Sequence, residues 1–488
     1  ILIIRIYFIF KNNTKGKILM AEENKKYNPI LISAVFLIGG FLSFLNGTLI
    51  TTALPSIMKD LHISATTGQW LTTAFMLVSG IMIPCTAYLI DRFSTRKLFF
   101  ASMGLFTVGT IIAGFANSFE VLIVARVLQA AGAGIIMPLM QTVFLVIYPK
   151  EKRGFAMGVV GIIIAFAPAI GPTLAGVIID SHPWRDLFHL IAPICIIDLI
   201  FAFFALKNVK ESKKIKLDII SVITSTLGFG GLLFGFSNAG SDGWLEPKVL
   251  VPLIVGVISL IIFSFKQLRS EKPMLNIRVF KSSTFTYATI IIMIAYAGLV
   301  SAELILPMYI QTARGYSAFD SGLMLMPGAI IMGIMNPITG KLFDKFGARL
   351  LSIIGLICLT AGTFGLSFLG PDTKIEFVTL AYSIRLFGMS MFMMPLTTSG
   401  LNTLSKEDLP HGTAVNNTMR QVAGSIGTAI LVTVMTKAAA NSGMTNPIDA
   451  QVHGMNVAFA SSAVLTLVSL ILAIFVIKKT PKQDNKAN

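Results

Sequence analysis

Long apolar runs broken by short polar turns recur fourteen times along the chain. A helix needs about 20 apolar residues to cross a bilayer, and each run reaches or nearly reaches that length. The pattern predicts spanning helices at roughly 30–54, 70–90, 97–116, 119–147, 155–179, 185–206, 218–238, 247–265, 284–310, 320–341, 348–369, 375–402, 413–436 and 455–477. An even number of crossings puts both ends of the chain on one side.

Charge then says which side. With these spans, the loops and tail on the side of the termini hold 24 lysines and arginines and the loops on the other side hold six. Basic residues favour cytoplasmic loops, so both termini are expected in the cytoplasm. Trp70, Trp184 and Trp244 fall at the outer helix edges, where an interfacial aromatic belt is expected. The net charge of +16 therefore belongs to membrane topology and implies no nucleic-acid partner. Composition agrees: 54% of residues are hydrophobic and 13% charged, against about 25% charged in soluble domains. A soluble enzyme is excluded. Cys85, Cys195 and Cys358 lie inside apolar runs with neither paired nor metal-ligand spacing, the five histidines are scattered, and no phosphate-binding Gly-x-x-x-x-Gly-Lys-Ser/Thr occurs. No cofactor and no metal is expected, and nothing marks an enzyme. Residues 1–19 are set aside, because Met20 followed by Ala-Glu-Glu-Asn-Lys-Lys reads as a natural start.

The chain repeats itself. Gly340-Lys-Leu-Phe-Asp344-Lys345-Phe346-Gly347-Ala-Arg349 mirrors Ala87-Tyr-Leu-Ile-Asp91-Arg92-Phe93-Ser94-Thr-Arg96-Lys97, at an offset of 253 residues (344 minus 91). Two helices later, Arg126 leads into Met137-Pro138-Leu139 and Arg385 into Met394-Pro395-Leu396; the second interval is two residues shorter, so Arg385 is an approximate counterpart of Arg126. The implied units are a tail (1–29), a six-helix half (30–206), two inserted helices with basic linkers (207–283), a second six-helix half (284–477) and a tail (478–488). Parallel duplicated halves with a site at their interface are a carrier arrangement. An Asp at a helix end, ringed by Arg92, Arg96 and Lys97 or by Lys345 and Arg349, suits a gate that locks neighbouring helix ends by charge-assisted hydrogen bonds. The fifth helix carries Gly161, Pro168, Gly171 and Pro172. Its prolines each free a carbonyl and bend the helix, and its glycines allow close approach.

In these loops and in this helix the sequence resembles the major facilitator superfamily, and within it the fourteen-helix drug–proton antiporters of the lincomycin-resistance type. The loop around Asp91, the Arg126–Gln129–Gly132 helix and Ala167-Pro-Ala-Ile-Gly-Pro172 match that family's signature motifs in order. Trp184-Arg185, Leu306-Pro-Met-Tyr309-Ile-Gln311 and Leu45-Asn46-Gly-Thr48 match as well. The resemblance implies an all-α polytopic fold of 6 + 2 + 6 helices, cytoplasmic termini and an exporter driven by the proton motive force. It also implies an acid facing Arg126, where this chain has Asn46. Asparagine cannot carry a proton.

The coupling proton then needs another carboxylate. Asp198 and Glu303 lie deep in predicted spans, where an ionised acid costs about 2.5–3.5 kcal/mol on insertion scales and is a functional candidate by default. Glu303 is preferred, since the resemblance places its helix on the central cavity. Asn46, Thr48, Arg126, Gln129, Tyr309, Gln311, Asn416, Asn417 and Arg420 are the expected buried polar or substrate-cavity residues. Arg420 would be paired by Glu303 or by a polar group of the substrate. Clustered Met389, Met391, Met393 and Met394 suit either an adaptable cavity or ordinary packing. The expected function is proton-coupled export of amphipathic or cationic drugs, lincosamide-like antibiotics included, by a monomer in a bacterial plasma membrane. The alternatives are export of one endogenous metabolite, or a receptor or scaffold with no flux.

Overall fold

The computed structural model describes residues 28–209, 212, 215 and 217–477. The expected start at Met20 and the tail from 478 lie outside them. Fourteen long helices follow one another, here named α1–α14. They are Pro29–Asp60, Ala65–Arg92, Thr95–Gly114, Phe119–Ile147, Arg153–Ile179, Asp186–Ala205, Ile219–Asp242, Pro247–Arg269, Ser283–Met308, Ala318–Phe346, Ala348–Gly365, Ile375–Leu401, Leu409–Ala440 and Pro447–Val476. All fourteen are long and apolar enough to cross a membrane. A hydrocarbon interior offers backbone N–H and C=O groups no water, so each span satisfies them within its own helix.

Short polar caps start many of these helices. The side chains of Asn28, Ser64, Ser94, Ser118, Asp218, Ser282 and Asn446 each accept a hydrogen bond from a first-turn N–H, and Ser317 with Asp320 forms a capping box. Several boundaries differ from the sequence reading, among them the start of α2 at Ala65 and the end of α10 at Phe346. α1 runs on through Pro55 to Asp60. α13 is longer at both ends. α14 begins at Pro447 rather than 455, where Asn446 caps a polar first turn that hydropathy alone passes over.

α1–α6 pack into one bundle and α9–α14 into another, each with its own core. α7 lies against α2 of the first bundle and α13 of the second, with α8 packed outside it. Trp70 of α2 stacks on Phe234 of α7 at 5.8 Å, and Trp244, beyond the end of α7, donates from Nε1 to Thr433 of α13 at 2.9 Å. The inserted pair therefore touches both halves. Asp218 and Lys266, at 2.7 Å, pin its two helices together on the face that carries the basic loops. Trp184 departs from the expected aromatic belt: it is buried, and its Nε1 donates to Asp60 at 3.1 Å, tying the end of α1 to the start of α6.

The halves meet most closely along α5 and α10. A methyl group on Gly158 would collide with the Asn336 carbonyl oxygen, and one on Gly340 with the backbone of Gly154. Asn336 Nδ2 also donates to the Gly161 carbonyl at 2.8 Å. Small residues let helices in lipid approach to backbone contact. We predict that Gly158→Ala pushes α5 and α10 apart at a cost of about 1–3 kcal/mol. A lowered melting temperature of the detergent-purified protein checks this; an unchanged one contradicts it.

Candidate functional site: a cleft between two halves latched on one face

The 253-residue repeat is preserved in three dimensions. Asp344, at the end of α10, accepts hydrogen bonds from the N–H groups of Gly154 (2.8 Å) and Phe155 (2.9 Å), the open first turn of α5 in the other half. A carboxylate there satisfies orphan donors and lies at the positive end of the helix dipole. Asp91, buried at the end of α2, reaches across the same way, its Oδ2 lying 3.4 Å from His411 Nε2 in the first turn of α13. His411 Nδ1 accepts the Asn276 N–H at 3.1 Å, which leaves Nε2 to carry the ring proton towards Asp91.

The basic residues of the two loops do something else. Arg96 donates to the Phe203 carbonyl at 2.9 Å, and Arg349 donates to the Ile474 carbonyl at 3.2 Å. These two arginines are also 253 residues apart (349 minus 96), and each fastens the last helix of its own half. Arg92, Lys97 and Lys345 are exposed, with Arg92 and Lys345 lying over the rings of Phe93 and Phe346. Of the expected gate, the aspartates cross between the halves and the arginines do not.

Behind the latches a polar seam joins α4 and α5 to α12, α13 and the turn between them. Thr142 and Thr413 hydroxyls lie 2.8 Å apart, Asn417 Nδ2 donates to Gln141 Oε1 at 2.7 Å, and Arg153 donates to Asn402 Oδ1 at 2.9 Å. Asn417 is thus part of the closure rather than of an open cavity. Every cross-half bond named so far lies towards the face of the basic loops.

Beyond the seam lie three buried arginines. Arg126, with no exposed surface, donates to Asn46 Oδ1 (2.6 Å), Gln129 Oε1 (2.9 Å) and the Leu71 carbonyl (3.2 Å), and lies 4.2 Å from the Phe75 ring. Its partners are all neutral, and its Nη2 and Asn46 Nδ2 have none. Arg385 donates to Thr363 Oγ1 (3.0 Å) and to the carbonyls of Gly298 (2.8 Å) and Leu299 (3.0 Å), leaving Nη1 free. Arg420 lies 5.0 Å from the Tyr296 ring, with Nε and Nη1 unpartnered.

The structure corrects the register of the repeat here. Gly109 packs on Ala125 and Gln129, and Gly362 packs on Ala381 and Arg385. Gln129 donates to Thr110, and Arg385 to Thr363. Thr363 minus Thr110 is 253 but Arg385 minus Gln129 is 256, so three residues have been added in the longer turn before α12. The counterpart of Arg385 is Gln129, and Tyr382 stands in the place of Arg126. The matching Met-Pro-Leu triplets, 257 residues apart, mislead by one position.

Glu303 lies towards the far end of α9. It is exposed, and Arg385, Tyr382 and Tyr296 lie within electrostatic reach of it. No ion pair closer than 4 Å joins it to a cation among the described residues. Asp198 is elsewhere: buried in the first half against Gly39 of α1, both its oxygens lack a hydrogen-bond donor. Thr48 fills the hollow at Gly171 and bonds within the first half. α5 continues unbroken through Pro168 and Pro172. Tyr309 is buried and donates to the Gly370 carbonyl at 2.7 Å, so it braces the second half. Gln311 is exposed and Asn416 buried. The four methionines beside Pro395 are core packing, each at most 5% exposed. Among the described residues no cluster could hold a metal ion. The residues that sequence reasoning missed are Gln141, Thr142 and Thr413, which carry no motif, and His411, whose partner lies 320 positions away (411 minus 91).

The chain was compared with known proteins. The profile described as Major Facilitator Superfamily matches residues 36–428. The MFS-type transporter YcnB of Bacillus subtilis is 50% identical over 94% of this chain and 97% of its own length. The lincomycin resistance protein LmrB of the same organism is 42% identical over 93% and 97%. A solved structure of the proton:xylose symporter XylE superposes with a TM-score of 0.62 at 14% identity, covering 92% of this chain and 96% of that one, a likeness of fold alone.

Asn417→Ala removes the bond to Gln141 and leaves a buried amide unsatisfied, at a cost of about 1–3 kcal/mol. Amide hydrogen exchange in segments 137–148 and 409–420 is expected to speed by roughly 5- to 150-fold. Unchanged exchange there would show that the seam does not hold the halves together.

Proposed function

Given that the chain belongs to the major facilitator superfamily and is a multi-pass membrane transporter rather than an enzyme, we propose that it exports amphipathic small molecules in exchange for protons. It works by alternating access in a bacterial plasma membrane, with the basic-loop face in the cytoplasm. The 24-to-6 division of basic residues supports that orientation. Relatives from Bacillus, one of them named for lincomycin resistance, support the membrane and the direction of transport.

The observation that carries proton exchange is the position of Glu303. An exchanger needs one acid that meets water from alternate sides and feels the substrate. Glu303 is exposed with Arg385 in electrostatic reach, which suits a position on the cleft between the halves, whereas Asn46 cannot titrate. Asp198 packs inside one half, off the cleft. With the basic face latched, water reaches Glu303 from the opposite side. Protonation there would prepare the site to face the cytoplasm, and release of the proton inside would follow opening of the latches. The energy suffices: about 2.3 kcal/mol per charge per 100 mV and about 1.4 kcal/mol per pH unit.

Glu303→Gln keeps the shape and removes the titration. In proteoliposomes it is expected to abolish uptake driven by an imposed pH gradient while retaining substrate counterflow without a gradient. Gradient-driven flux that survives in this variant would remove Glu303 from the coupling role.

A further inference from the structure

The buried charges of the spans do not balance. Among the described residues, the deep spans hold three cations, Arg126, Arg385 and Arg420, and two acids, Glu303 and Asp198. Asp198 packs beside Gly39 and Met103 with no cation near it, so it neutralises none of the three. Even with Glu303 ionised, a surplus of two positive charges remains in the membrane interior. A buried cation there needs a partner. For Arg126 and Arg385 the protein supplies several oxygen acceptors each, held at 2.6–3.2 Å. Arg420 has far less: the ring and hydroxyl of Tyr296, and two nitrogens with nothing to donate to. It is 6% exposed. It also stands one turn beyond Asn417, where the seam that shuts the basic face gives way to the cleft.

We propose that Arg420 is the binding site for the acidic group of the exported substrate, and that the cargo is an amphipathic organic anion, a carboxylate in its simplest form. Nε and Nη1 each keep an N–H with nothing to donate to, and a hydrogen bond from a charged donor to a carboxylate is among the stronger ones. Tyr296 flanks the guanidinium with an aromatic face for the apolar body. Arg126 and Arg385 each keep one N–H-bearing nitrogen without an acceptor as well. The same surplus repels a cationic drug, so the cationic half of the expected spectrum is excluded. This assignment rests on the transporter reading and specifies its cargo.

The test uses three molecules that share one fluorescent body: 9-anthracenecarboxylate, its methyl ester and 9-(aminomethyl)anthracene. Equilibrium binding to the purified full chain is expected to place the carboxylate at least about tenfold below both others in Kd, since a hydrogen bond to a charged group is worth that much or more. Arg420→Gln is expected to erase the preference for carboxylate over ester, and Arg420→Lys, which keeps the charge, to retain most of it. Size-exclusion profiles confirm that each variant is folded. An amine that binds as tightly as the carboxylate, or an Arg420→Gln variant that weakens all three equally, overturns the proposal. Carboxylate uptake under a pH gradient separates the two readings. Selective binding without gradient-driven flux upholds the anion site and refutes proton exchange. Gradient-driven flux of the amine with no carboxylate preference does the reverse.

Discussion

A carboxylate at the end of one helix, bonded to the free N–H groups at the start of another, joins the two halves of this molecule. Asp344 supplies the acceptor and Gly154 and Phe155 the donors. The contact works because glycines at 154 and 340 let the two helices touch backbone to backbone. Any side chain at either position would hold the carboxylate away from the N–H groups it satisfies. The bond is also reversible, since water can take over both donors and acceptor when the halves separate. A disulfide or an apolar seam would close the same face without that freedom.

The pseudo-symmetric latch at Asp91 uses a different donor. There the acceptor meets the His411 ring, itself held by the Asn276 N–H in the linker that follows the inserted helices. The insertion is therefore connected to the gate: α7 touches α2 and α13, and its linker positions the imidazole that Asp91 faces. With both latches and the α4–α13 seam made, the closed face is polar and interlocked, while among the described residues the deep spans beyond it hold more buried positive charge than negative. Under the proposed anion site, a substrate entering with the basic-loop face open would meet Arg420 just past that seam.

Much of this was legible in the sequence. Fourteen spans and the duplicated aspartates follow from apolar runs and from one offset of 253 residues. The partners of those aspartates were not legible, because Gly154 and Phe155 contribute backbone N–H groups, which leave no signature. The register of Arg385 was misread for a physical reason. Three residues added to a turn shift the whole of α12 to an offset of 256, and pairing Arg385 with Arg126, 259 residues apart, overshoots it. Packing of Gly109 and Gly362 against their neighbours is what reveals the true frame. Tyr309, Asn417 and Trp184 were chosen as polar or amphipathic residues in apolar helices, which marks a need for hydrogen bonds but not where those bonds are found. Each turned out to bind protein rather than cavity or lipid interface.

The central claim is that the two aspartates hold the basic face shut, and a distance across that face tests it most directly. Lys152 and Lys345 are exposed on either side of the Asp344 latch and take no part in it. Spin labels at these two positions, read by pulsed electron–electron resonance, are expected to give one short distance in the otherwise native protein. A substantial second population at longer distance is expected when Asp91→Asn and Asp344→Asn are combined. An unchanged short distance in the double variant would contradict the account.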